Sequence, residues 1–153
     1  MTSITLVRRI AARQSIVFEA LTTADGVAGW WGVDDLPVVV AEVDARVGGA
    51  FRICFPTLDG EEHEACGEYL ELIAPSRLVM SWRWVRGGVP EELDGTSRIE
   101  MELKPVDGGV ELTVTHADLR NDASRINHEH GWSASLARLS RLLGASSNAQ
   151  ISI

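Results

Sequence analysis

Apolar and polar positions alternate along most of this chain, and the alternation changes period twice. Ile4 to Ala11 opens with Ile4 and Leu6 in strand phase, with Arg8 next on the same face. The period then lengthens. Val17, Ala20 and Leu21 share one face of a helix over Gln14–Leu21, and a second short helix over Ala24–Trp30 runs into Trp31 and Gly32, a helix stop. Strand periodicity returns with the β-branched run Val38–Val43. Phe51, Ile53 and Phe55 alternate with Arg52 and Cys54. Ala65–Ile73 follows, then Leu78, Met80, Trp82 and Trp84 alternating with Val79, Ser81 and Arg83.

Two turns fix registers. Val47-Gly48-Gly49-Ala50 is a hairpin signal, but a two-residue turn would set Phe51 against Arg46, so a glycine bulge is expected there. Asp107-Gly108 joins Thr96–Lys104 to Val110–His116. A two-residue turn there pairs Leu103 with Leu112, Met101 with Val114 and Ile99 with His116, all on one face. The loop Val85–Gly95 is the expected mobile segment.

The last periodic stretch is the most informative. Trp132, Leu136, Leu139 and Leu143 recur at helical spacing, with Arg138 and Arg141 on the other side. This predicts a long helix capped near Asp122 or Ser124 and stopped by Gly144, followed by a loose tail over 145–153. A series of strands closed by one amphipathic helix is an α+β arrangement in which a curved sheet grips the helix.

Composition adds constraints. A chain of 153 residues points to one domain, here 1–144. The formal net charge of −8, with no basic run, argues against nucleic acid. The sequence shows neither a secretory leader nor an apolar run of membrane-spanning length, so a cytoplasmic protein with no membrane role is expected. The two cysteines, Cys54 and Cys66, are expected to be reduced. If Phe51 and Ile53 point inward with Leu70 and Leu72, Cys66 points in and Cys54 points out.

The inward phase collects Phe51, Ile53, Phe55, Leu70, Leu72, Leu78, Met80, Trp82, Trp84, Ile99, Met101, Leu103, Leu112, Val114 and His116, joined by Trp132, Leu136 and Leu139. Such a face either lines an apolar cavity or fills it. Trp30 and Trp31 are read as the cavity mouth, one ring in and one exposed, or as an anchor for the second helix. His116 is the most interesting polar residue, its phase pointing inward, as an acid or base or as a structural histidine. Glu68 shares the inward phase on this register and is the second catalytic candidate. Glu71 and Arg83 point outward as a surface pair. His128 and His130 lie about 200° apart around a helix and His63 falls in a turn, so no metal site is expected, and no cofactor.

The order of elements, together with Ala12, Val17-Phe18-Glu19-Ala20-Leu21-Thr22, Trp30-Trp31, Val47-Gly48-Gly49, Gly67-Glu68-Tyr69-Leu70-Glu71, Pro75-Ser76-Arg77-Leu78-Val79, Trp82, Thr115-His116 and Gly131-Trp132, resembles the activator of heat-shock-ATPase homologue family. That family belongs to the START-like superfamily, which has the birch-pollen-allergen (helix-grip) fold. The resemblance covers about residues 4 to 143. It implies a seven-stranded curved antiparallel sheet around a long C-terminal helix, with two short helices between the first two strands. It also implies the family's range of roles: small-ligand carriers, polyketide cyclases, chaperone co-regulators and stress proteins. The leading expectation is a domain that binds a small hydrophobic molecule. The alternatives are a cyclase-like or hydrolase-like enzyme using the same cavity, or an interaction module with a chaperone partner. Homodimerisation is a further expectation.

Overall fold

The computed structural model describes residues 2–32, 36–87 and 95–151. The elements are β1 (Thr2–Ile10), α1 (Gln14–Thr22), α2 (Ala24–Trp30), β2 (Val40–Val43), β3 (Ala50–Pro56), β4 (Glu62–Ile73), β5 (Arg77–Arg86), β6 (Ser97–Val106), β7 (Gly109–Leu119) and α3 (Asp122–Ile151). Among the described residues the strands form one antiparallel sheet in the order β1-β7-β6-β5-β4-β3-β2. Strands β2 to β7 form a meander. β1 joins the far edge beside β7, so consecutive strands β1 and β2 lie at opposite edges, linked through α1 and α2. This is the expected helix-grip architecture.

The Asp107-Gly108 turn carries the predicted register. Leu103 faces Leu112, Met101 faces Val114, Ile99 faces His116, and Val106 faces Gly109. All six inward side chains from Ile99 to His116 are at most 3% exposed. On α3, Trp132, Leu136 and Leu139 are buried, and Leu143 packs against the same core.

Strand β4 departs from simple alternation. Its pairing with β5 shifts between Glu64 and Ala65 and again between Tyr69 and Glu71. A bulge inserts a residue and reverses the side-chain phase beyond it. Ala65 and Tyr69 are therefore buried, whereas Leu70 is 41% exposed and Glu68 is exposed. Past the second shift Leu72 packs against the core. The expected inward placement of Cys66, Glu68 and Leu70 is thus corrected, and only Leu72 keeps its assigned face. Gly67 leaves no room for a side chain, since a Cβ there would lie 2.0 Å from the Ser81 carbonyl oxygen.

The cysteine geometry changes with it. Cys66 pairs with Arg52 and Cys54 with Glu64, so both thiols share the outer face. Both are free. Burial, with the carboxylate of Glu64 nearby, pushes the Cys54 thiol up. Glu71 pairs with Arg77 at 3.1 Å, not with Arg83, whose guanidinium lies 3.3 Å from Cys66 Sγ.

Several boundaries also move. The β2–β3 connection spans 44–49 and sets Phe51 opposite Val43, so a longer loop relieves the clash with Arg46 that a bulge was expected to relieve. Asn121, not Asp122 or Ser124, caps α3, its Oδ1 accepting from the Ser124 N–H at 2.9 Å. The helix runs through Gly144 to Ile151, so that glycine is not its stop. Most of the loop expected to be mobile, 88–94, lies outside the described residues.

Candidate functional site

A cavity of about 140 Å³ lies between α3 and the sheet. Its deep walls are aromatic: Trp31 after α2, Phe55 on β3, Trp82 and Trp84 on β5, and Trp132 on α3. Alternation puts Trp82 and Trp84 on one face of β5, and Trp31 reaches them from the α2 end. Trp31 stacks on Trp82 with centroids 5.4 Å apart and meets Trp132 edge-on at 5.3 Å. Gly32, with φ of +117°, turns the chain away directly after Trp31.

All four histidines of the chain line this cavity. His116 and His128 are buried, and their ring centroids lie 4.6 Å apart. Each is engaged by a tryptophan. Trp132 Nε1 donates to His116 Nδ1 at 3.0 Å, and Trp84 Nε1 donates to His128 Nε2 at 3.1 Å. An indole N–H can only donate, so the nitrogen facing it must accept and carries no proton. The hydrogen of the uncharged ring therefore sits on the other nitrogen in each case. In His116 it is on Nε2, 2.7 Å from Ser97 Oγ. In His128 it is on Nδ1, 2.9 Å from the Ser124 carbonyl. Burial, then the neighbouring His128, hold the protonation of His116 well below the usual histidine range.

The remaining polar groups are fewer. Ser135 Oγ donates to the Gly32 carbonyl at 2.9 Å, and Arg138 donates to the carbonyls of Trp31 and Leu36, which fastens α3 to the segment after α2. Asn127 and His130 are exposed and His63 is half-buried, so these three mark where the cavity meets solvent. Among the described residues no Asp, Glu, Lys or Arg lines the cavity, and no group of three His, Cys, Asp or Glu side chains is placed to hold a metal.

The sequence profile of the family described as Activator of Hsp90 ATPase homolog 1-like protein matches residues 11–144. The chain belongs to that family. Several solved structures share its fold. A protein of Chromobacterium violaceum is 29% identical, with a TM-score of 0.80 over 94% of this chain and 99% of that one. A Silicibacter pomeroyi member is 21% identical, with a TM-score of 0.82 over 95% and 99%. A Colwellia psychrerythraea protein described as an Aha1 dimer is 23% identical, with a TM-score of 0.67 over 94% and 97%. No curated protein matches the chain.

Within this family member, the expected cavity residues divide into two groups. Trp31, Phe55, Trp82, Trp84, His116 and Trp132 line the cavity. Trp30, Phe51, Ile53, Met80, Ile99, Met101, Val114 and Leu136 are buried but do not line it, and they form the core beneath. Leu70 lies on the opposite face. Neither Trp30 nor Trp31 is exposed. Trp30 is fully buried, its Nε1 donating to the Ala20 carbonyl at 2.8 Å, so it anchors α2 to α1.

His116 is where the strand phase placed it, but both of its ring nitrogens are engaged. Glu68, its expected catalytic partner, is on the outer face. The two do not converge. His128, weighed in the sequence as a metal ligand, is buried in the cavity wall. His63 belongs to β4, not to a turn. The signal for His128 was present in the sequence: it lies four residues before Trp132 and so on the same helix face.

Proposed function

We propose that this protein binds a small hydrophobic molecule in the cavity between α3 and the sheet. The observation that carries this reading is an aromatic-walled cavity of about 140 Å³ that opens to solvent beside Asn127 and His130. Close-packed interiors leave few voids larger than a water molecule. A cavity of about 150 Å³ is large enough for a benzene-sized guest.

The family resemblance supports the same reading, since the roles it implies include small-ligand carriers. The enzyme reading has less support, because His116 is saturated by Trp132 and Ser97 and no carboxylate lines the cavity among the described residues. Homodimerisation is supported by the Colwellia psychrerythraea neighbour, described as a dimer. Light scattering on the purified chain tests it, with the dimer mass expected.

Native mass spectrometry of freshly purified protein tests the binding proposal. A bound species heavier than the chain by one small organic molecule, lost when Ser135→Trp fills the cavity, is expected. Failure of the wild-type chain to retain any member of a library of small hydrophobic compounds would contradict it.

A further inference from the structure

We infer that the first half of α3 is fastened to the sheet by an acid-sensitive latch: protonation of His116 and His128 breaks two indole–imidazole bonds and lets the helix lift away.

The latch is reciprocal. Trp132 on α3 donates to Nδ1 of His116 on β7, and Trp84 on β5 donates to Nε2 of His128 on α3. The helix supplies one donor and one acceptor, and so does the sheet. His128 and Trp132 are one helical turn apart, so both bonds leave the same face of α3. All four side chains are buried.

A neutral imidazole has one acceptor nitrogen, and an imidazolium has none. In both rings an indole N–H occupies that acceptor. The other nitrogen of each ring faces a hydrogen-bond partner as well, the Ser97 hydroxyl for His116 and the Ser124 carbonyl for His128. A proton therefore enters either ring only by displacing an indole. The two ring centroids are 4.6 Å apart, so charging both adds repulsion across the joint.

The surroundings do not compensate such a charge. Ile4 on β1 and Ile99 on β6 flank His116, and Trp82 on β5 meets its ring edge-on. His63 on β4 and His130 on α3 stand at the solvent end of the same cavity, where Glu61 lies 3.6 Å from His63. Asp122 and Glu129 on α3 are exposed and pair with Arg125. Among the described residues no carboxylate lines the cavity wall.

The direction of the response follows. Burial, then His128, keep His116 unprotonated well below the usual histidine range while the helix is docked. A histidine freed into water takes its proton near pH ~6.5. Below that pH the lifted state binds more protons than the docked one, so acid favours lifting. Each ring so freed raises the lifted population by at most about tenfold per pH unit.

Native-state hydrogen exchange followed by NMR tests the latch, with rates corrected for the intrinsic effect of pH on exchange. Amides 126–132 are expected to exchange through a local opening, more readily than those of the β6–β7 hairpin. Their opening constant should rise at least about fivefold from about pH 7 to about pH 5.5. His116→Asn combined with His128→Gln puts an amide oxygen near each accepting nitrogen and removes the titration, so the rise should vanish. His63→Gln combined with His130→Gln should keep it. An opening constant that ignores pH would overturn the latch, as would a rise that survives the first pair of substitutions or is lost with the second. Exchange of α3 only together with the hairpin, by unfolding of the whole chain, would also overturn it. Should the first pair of substitutions prevent folding, the wild-type chain gives the same test. The imidazole nitrogens of His116 and His128 and the indole N–H groups of Trp132 and Trp84 should then titrate together while the hairpin stays folded, and separate titrations would contradict the latch.

Discussion

Trp132 on α3 donates its indole N–H to Nδ1 of His116 on β7, across 3.0 Å in the buried wall of the cavity. This bond ties the closing helix to the sheet at the point where a ligand would sit. It also decides which nitrogen of His116 can hold a proton. Replacing Trp132 by Phe keeps an aromatic ring but removes the donor and leaves Nδ1 unpaired. The expected destabilisation is at least about 1–3 kcal/mol, measured by urea unfolding. A loss below about 0.5 kcal/mol would mean that the bond does not hold the helix.

The burial of His116 predicts a pH dependence. In the folded chain His116 is held well below its usual protonation range by burial and by His128. The unfolded chain binds this proton near pH ~6.5. Below that pH the unfolded state therefore binds more protons than the native state, and stability falls as the solution is acidified. The full contribution is present above about pH 6.5, and the loss is at most about 1.4 kcal/mol per pH unit for this one group. Urea midpoints are expected to fall between pH 7.5 and pH 5, and to fall less in His116→Phe. An identical slope in that variant would assign the acid sensitivity to other groups.

The bulged register of β4 makes a contrasting pair of predictions. Leu70 is on the outer face, so Leu70→Ser should change stability by no more than about 0.5 kcal/mol. Tyr69, 1% exposed and beside Phe51, should cost about 3–5 kcal/mol when replaced by Ala. The reverse order in unfolding experiments would restore unbroken alternation through β4.

Gly67→Ala would place a methyl group 2.0 Å from the Ser81 carbonyl oxygen and 2.8 Å from the buried Phe51 ring. A cost of at least about 1–3 kcal/mol is expected from thermal or urea unfolding. A stable Gly67→Ala protein would show that β4 and β5 can separate there without penalty.

The architecture was legible from the sequence because period and turn chemistry agreed. Asp107-Gly108 fixes one register, and every inward residue on its two strands obeys it. β4 was not legible in the same way. Its two register shifts leave no compositional mark, and Cys66, Glu68, Leu70 and Leu72 form an even-numbered series that alternation alone assigns to one face. The helix stop at Gly144 failed for a related reason. A glycine lowers helix propensity by about 1 kcal/mol without ending a helix, and α3 continues beyond it.

The site was half legible. His116 and the tryptophans follow from strand and helix phase, whereas the two Trp–His bonds depend on three-dimensional distances between residues 16 and 44 positions apart. Those bonds engage His116 and His128 within the protein.

Nitrogen-15 NMR of the five indole N–H groups during titration with acetophenone tests the central claim most directly. Trp31, Trp82, Trp84 and Trp132 line the cavity, whereas Trp30 lies outside it with its N–H bonded to Ala20. The account predicts saturable shifts of the four lining signals, with Trp30 moving least. No saturable change, or a response led by Trp30, would contradict a ligand in this cavity.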